Sequence, residues 1–408
     1  MKISANIVLA AASLMLVCAA AAPYANAQSA QTLKDAFPFW KMGAAVSSFD
    51  VSGRNPKSQE LLLTHFNAIS PDNDLKPESL HPQPDVWTFD RADRYVAFGK
   101  ENGLWMLGHT LCWHNQTPEF FWNDDKGQPK TRQQIFDYIE TYIKTVCTHF
   151  LGKVNAWDVI NEIVSEEGGY RDLGWVHALG NDPAVVDEFV KHVFRCAAKY
   201  APDTELYYNE FNVWRPSKLA GVIRLVKMLQ ADGIRIDGVG IQSHWGLGYP
   251  ENHYIDEAID QISALGVKVM ITELDVDVLP ISKDGQVIGK SLQDPQYQLE
   301  EFEKFLDPYK DGLPAEVEDQ LAARYEELFR IFYKHRDQID RVTFWGLTDG
   351  GSGKTARLSR AAPIILCSSP ATIPGTRHSM QWWPSLTEAP TPTSGRCRSI
   401  RSEIPISR

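Results

Sequence analysis

Short apolar runs recur along the chain, with enough residues between them for a helix. They cover 41–47, 66–73, 104–111, 155–162, 205–212, 238–245, 268–276 and 341–349, each of strand length. Between them lie stretches whose apolar residues return every three or four positions, at 131–150, 184–200, 218–231, 255–265 and 318–335. That spacing buries one helical face. Gly152, Pro202, Gly233 and Gly266 punctuate the joins. Strands that alternate with helices pair in parallel. Eight such units predict an α/β fold closed into a (β/α)8 TIM barrel. A doubly wound open sheet would carry a Gly-rich phosphate turn after its first strand, and none follows residue 47.

Polar residues interrupt this pattern unevenly. Nearly every run ends, on its C-terminal side, in polar or ionisable residues: Pro71-Asp72-Asn73, His109-Thr110, Asn161-Glu162, Tyr208-Asn209-Glu210, Gln242-Ser243-His244, Glu273 with Asp275, and Thr348-Asp349. Many are flanked by core-type residues rather than turn formers, so they do more than solvate loops. Together they form a ring on the rim where barrel enzymes keep their active sites.

The two ends of the chain differ from the body. Lys2, an apolar run over 7–22 and Ala25-Asn26-Ala27 form a signal peptide pattern over residues 1–27, cleaved near Ala27. The run is short and Ala-rich for a membrane span. A secreted or periplasmic protein follows, without a membrane as partner. Residues 353–408 show no periodicity and are rich in Ser, Pro and Arg, which by composition reads as disorder. They carry eight Lys and Arg against two Glu, leaving −17 on residues 1–352 within the overall −11. That acidity excludes nucleic acid as the main partner. The domains predicted are the leader 1–27, one catalytic barrel over 28–352 and an aberrant tail over 353–408.

Twelve Trp and fourteen Tyr suit flat ligands such as sugars. Six cysteines in this length exclude a disulfide scaffold. Cys112, Cys147 and Cys196 lie in apolar segments and are expected as buried free thiols. Metal-ligand spacing such as C-x-x-C is missing, so no metal or other cofactor is implied. Two of the rim residues, Glu162 and Glu273, stand on well-formed strand ends. Paired carboxyls among aromatic residues point to glycoside cleavage: one protonates the leaving oxygen, and the other attacks the anomeric carbon or activates water.

Ordered motifs sharpen this reading: Asp72 to Lys76, Gly108 to Gln116, Trp157 to Glu162, Tyr208 to Asn212, Gly240 to His244, Ile271 to Asp275 and Phe344 to Asp349. Over about residues 30–352 the chain resembles the xylanases of glycoside hydrolase family ten. The resemblance implies a (β/α)8 barrel, a retaining endo-1,4-β-xylanase and xylan or xylo-oligosaccharides as substrate, handled by a monomer. It implies Glu162 as acid/base with a raised pKa and Glu273 as an ionised nucleophile. His244 and Asp275 match the residues that orient the nucleophile, and Asn161 the partner of the sugar 2-hydroxyl. Gln242 faces the same region. Asn73, Lys76, His109, Trp113 and Gln116 match the glycone-binding wall, and Asp72, Asn209 and Trp345 complete the supporting set. Retention implies carboxyls about 5–5.5 Å apart.

The chain departs from the family pattern in three places. Asp72 stands where Glu is usual, and Glu210-Phe211 where Asp-Tyr is usual. The third departure is the tail. After the eighth strand the family continues with Ser-Trp, a Pro-Gly-Arg-x-x-Pro-Leu-Leu-Phe-like segment and a closing helix near Pro-Ala-Phe, none of which occurs over 353–408. Codons assembled from the third base of each residue and the first two of the next restore them. Ser352–Gly353 then permits Trp, 359–369 permits Pro-Gly-Arg-Thr-Asn-Tyr-Pro-Leu-Leu-Phe, and 376–380 permits Pro-Ala-Phe-Asp. A frameshift near Ser352 is the reading that follows, with the eighth helix missing or replaced. The shift also creates a decoy: Gly351 to Thr355 imitates a phosphate loop, but Thr348 stands where that loop needs Gly.

Two alternatives remain open: a related barrel glycosidase acting on β-1,4-glucan, and a xylan-binding protein of little or no activity because barrel closure is lost. Sequencing the DNA across codon 352 is expected to show the displaced frame; an uninterrupted frame in independent clones overturns that reading.

Overall fold

A computed structural model describes residues 32–278, 309 and 312–348. The leader, the tail with Cys367 and Cys397, the segment of the eighth helix, the decoy loop and Asp349 lie outside the described residues.

The strands are β1 Lys41–Val46, β2 Ala68–Pro71, β3 Trp105–Cys112, β4 Ala156–Asn161, β5 Glu205–Glu210, β6 Gly238–Ile241, β7 His244–Gly246, β8 Lys268–Asp277 and β9 Ile339–Phe344. The long helices are α1 Pro56–His65, α2 Asp90–Glu101, α3 Arg132–His149, α4 Pro183–Tyr200, α5 Pro216–Ala231, α6 Asn252–Ser263 and α7 Ala315–Lys334. Local chemistry sets their starts. Thr131 and Gln134 form a capping box at α3. Proline opens α1, α4 and α5 at a position where its missing N–H costs nothing. Asn55 and Asp182 cap the first two of these through their side chains.

All strand pairings are parallel, and the order runs β1 to β6, then β8, β9 and back to β1. This is a closed eight-stave barrel, as the alternation predicts. β9 pairs with both β8 and β1, so the loss of closure that a non-catalytic binder required does not occur. The run at 238–245 differs from expectation. It breaks at Gln242-Ser243, where Ser243 takes a φ of 65°, and resumes as β7, which pairs His244 with Asp275 of β8. The break re-aims His244 toward the rim of β8.

Barrel strands are covered on both faces, which explains why β4 is buried at every position. Close approach sets one glycine. Trp157 of β4 lies against Gly108 of β3, where an added Cβ would meet the indole at 2.2 Å. At the opposite end from the polar rim, Lys41 pairs with Asp340 at 2.8 Å, Asp340 with Lys268 at 3.3 Å, and Lys268 with Glu205. This ionic chain links the starts of β1, β5, β8 and β9. Cys112, Cys147 and Cys196 are buried and unpaired, and burial pushes their thiols up, Cys196 to about 12, so they are unreactive at neutral pH.

Gly108→Ala is expected to destabilise the barrel by about 1–3 kcal/mol through overpacking against Trp157, read as a lowered thermal midpoint.

Candidate active site

β4 delivers Asn161 to the rim, and the chain then turns at Glu162, whose φ of 59° lies in the left-handed region. Gln116, Asn212 and Ser243, on neighbouring rim loops, share that region at 44°, 54° and 65°. Side chains held there cost about 1–3 kcal/mol each and persist where surrounding structure over-determines them. The constraint at Glu162 is visible. Its N–H donates to the Asn209 carbonyl at 3.0 Å. Its carboxyl accepts from Trp113 Nε1 at 3.0 Å, Gln242 Nε2 at 2.9 Å and Asn161 Nδ2 at 3.2 Å.

Glu273 projects from β8 and is nearly buried. It accepts from Asn209 Nδ2 at 2.8 Å and faces His244 Nε2 at 3.1 Å, while His244 Nδ1 meets Asp275 at 2.9 Å. Asn209 Nδ2 also lies 3.0 Å from Asn161 Oδ1, and Asn209 Oδ1 accepts from Thr272 Oγ1 at 2.7 Å. A continuous chain of amides therefore joins the two carboxyls. Gly240 makes room for it: a Cβ there would lie 2.2 Å from Asn209 Oδ1.

The electrostatics of the two carboxyls differ. Burial alone would lower the His244 pKa, but Asp275 and Glu273 raise it to about 9. The ring is thus an imidazolium that donates from both nitrogens, one of them to Glu273. Glu162 departs from expectation. Burial pushes its carboxyl up most strongly, but His114, the bonds from Gln242 and Trp113, and Arg171 together bring it below its ordinary value. The raised pKa expected of a general acid is thus not what these surroundings give, because the donors that hold this side chain favour its anion.

One wall of the site is a second cluster. Lys76 donates to Asn73 at 3.0 Å and Gln116 at 2.8 Å, and Gln116 donates to Asn73 at 2.9 Å. The ammonium sits 5.0 Å from the Trp113 ring. Lys76 is buried, so it is not a solvated surface charge. His109 pairs with buried Asp158 at 2.8 Å. Trp345 stands edge-on to His109 and His244, with centroids 5.7 and 6.5 Å away. Asp72 is raised by burial, with Lys76 and His109 opposing. The fourteen site residues that the resemblance implies thus lie in one neighbourhood, Asp72 through the charges of Lys76 and His109.

A family model for glycosyl hydrolase family 10 matches residues 29–366. The chain belongs to glycosyl hydrolase family 10. It is 35% identical over 329 residues to an endo-1,4-beta-xylanase A of Xylanibacter ruminicola, covering 80% of this chain and 86% of that one. It is 33% identical over 328 residues to an endo-1,4-beta-xylanase A of Caldicellulosiruptor saccharolyticus, covering 79% and 86%. The solved structure of a family 10 endoxylanase from a sugarcane soil metagenome superposes with a TM-score of 0.74 at 30% identity, covering 84% of this chain and 96% of that one.

Several members of this family 10 site are not legible as such in the sequence. Asp158 and Thr272 orient His109 and Asn209; a polar residue inside a fully buried strand is the signal that marks them. His114 and Arg171 act on Glu162 through space, and nothing in their spacing foretells it. Away from the rim, α3 and α4 bring Glu140, His192 and Cys196 within 4.8 Å of one another. Spacing along the chain gives no sign of this cluster, because Glu140 is remote from the other two. Its members already have partners: Glu140 accepts from Lys199 and Tyr200, and His192 contacts the Phe136 carbonyl.

The His244 shift carries a pH signature. A folded pKa raised to about 9 gives stability that is full below the unfolded value of about 6.5 and is lost as pH rises through about 9. Unfolding free energy measured from pH 6 to 10 is expected to fall over this window in the native protein relative to His244→Gln; parallel curves would refute the imidazolium.

Proposed function

We propose that this family 10 chain is a retaining endo-1,4-β-xylanase that cleaves internal bonds of xylan by double displacement, with Glu162 as acid/base and Glu273 as nucleophile. The observation that carries the assignment is the contrast between the two carboxyls. Glu273 is fixed on a strand against a cationic imidazolium and an amide, as a group that must stay anionic requires. Glu162 sits on a turn with neutral amide and indole donors on its carboxyl; burial favours its proton, while those donors, His114 and Arg171 hold its pKa below the ordinary value. Xylan as substrate is supported by the endo-1,4-beta-xylanase relatives.

In the first step the Glu273 carboxylate attacks the anomeric carbon, the glycosidic C–O bond breaks, and Glu162 gives its proton to the departing oxygen. In the second, Glu162 takes a proton from water, the water oxygen attacks the same carbon, and the ester to Glu273 is released. Glu162 must hold its proton when sugar is bound. A sugar that engages Gln242 and Asn161 draws those donors away from Glu162 and so shifts its carboxyl toward the acid form. Asn161 meets the 2-hydroxyl of the reacting sugar, while Asn73, Lys76, Gln116, His109 and Trp113 hold the sugar on the non-reducing side. Trp345 and Asp72 flank the same site.

The chain works as a monomer with one catalytic domain over 28–352. It is exported to the periplasm or beyond by a leader cleaved near Ala27, and uses no cofactor, nucleic acid or membrane.

Reducing-sugar release from xylan is expected to exceed that from cellulose, with the first-formed anomer β by NMR. Glu273→Ala should abolish turnover, and Glu162→Ala should lose about 10²–10⁴-fold on xylan but far less on an aryl xyloside with an activated leaving group. Preference for cellulose, an α product or an active Glu273→Ala would each overturn the proposal.

A further inference from the structure

The Glu210-Phe211 pair, one of the departures from the family pattern, lies beneath the turn that carries Glu162. Glu210 is fully buried and accepts from four donors. Tyr208 Oη lies 2.5 Å and the Val164 N–H 3.1 Å from one oxygen; Lys218 Nζ and the Phe211 N–H each lie 3.0 Å from the other. Lys218 is also fully buried and rests 3.4 Å from the Phe211 ring. It reaches Glu166 at 3.0 Å, on the same turn. Arg171 closes the turn from outside. Its Nε donates to the Glu162 carbonyl at 3.1 Å, its terminal nitrogen donates to the Val164 carbonyl at 3.3 Å, and that nitrogen lies 3.9 Å from Glu210.

These bonds fix the three peptide groups that follow Glu162, a residue in the left-handed region, while its own N–H is held by the Asn209 backbone carbonyl. We propose that Glu210 is a positioning residue for Glu162: paired with Lys218, it locks the turn over 162–171 and so the direction in which the acid/base carboxyl enters the cleft. The inference rests on the assignment of Glu162 above. A buried carboxylate is suited to this task because all its lone pairs accept. Glutamine at 210 would turn one accepting oxygen into a donor facing donors, leaving a backbone N–H or the Lys218 ammonium short of a partner. The nucleophile meets β5 through the Asn209 side chain rather than through any of these groups, and its reactivity should be indifferent to them.

That asymmetry sets the test. Glu210→Gln, Glu210→Asp and the native enzyme are compared on xylan and on a dinitrophenyl xylobioside, whose leaving group departs with its electron pair and needs no proton. Glu210→Gln is expected to lose about tenfold or more in kcat/KM on xylan and to stay within about twofold on the activated substrate. Its rate of ester formation at Glu273 with an activated 2-fluoro xyloside should be native. Glu210→Asp, which keeps the charge, should recover xylan activity to within about threefold. Equal losses on both substrates, no loss on either, or an Asp variant as poor as the Gln variant would overturn the proposal. If Glu210→Gln does not fold, Arg171→Lys, which keeps a charge but gives up the forked bonds, is read by the same split. Glu162→Ala run alongside separates the two readings: without a leaving-group split of its own, the acid/base assignment falls, and Glu210 with it.

Discussion

One amide sits between the two carboxyls and determines how the rest of the rim is arranged. Asn209 Nδ2 lies within hydrogen-bond distance of both Glu273 and Asn161, while its carbonyl is held by Thr272. An amide is neutral, so it can join the neighbourhoods of two acids without forcing them to the same protonation state. That is the requirement of a site in which one acid must lose and regain a proton while the other stays charged. The strands obey the same constraint. β5 and β6 approach closely enough for Asn209 to fit only because Gly240 has no side chain. The break between β6 and β7 then brings His244 beside Asp275, where it faces Glu273.

The barrel was legible in the sequence because it is written in period and length. Strands buried on both faces read as short apolar runs, and helices buried on one face read as repeats of three or four. Position along a strand was also legible: polar residues such as Asn161 and His109 accumulate at one end because the other end is floor. The break at Gln242-Ser243 was not, since it depends on the neighbouring strand and leaves the apolar pattern unchanged.

The site divides along the same line. Glu162 and Glu273 emerge from reading along the chain, and the wall around Lys76 comes from motifs that resemble those of the family. What escapes is electrostatic and comes from elsewhere in the fold. Arg171 and His114 bring the Glu162 carboxyl down, against the expected direction, and Lys218 is buried by a helix start that looks like any exposed one. A sum of opposing influences from three loops has no signature in the order of residues.

The ionic chain on the barrel floor has a further consequence, one for folding. Lys41 and Asp340 are 299 positions apart in the chain, and β1 pairs directly with β9. The seam of the barrel can close only after its last stave has been synthesised. Until then the first stave carries an unsatisfied edge and an unpartnered cation. Contacts of such long range make folding slow, and closure of the barrel has to wait until most of the polypeptide has been made.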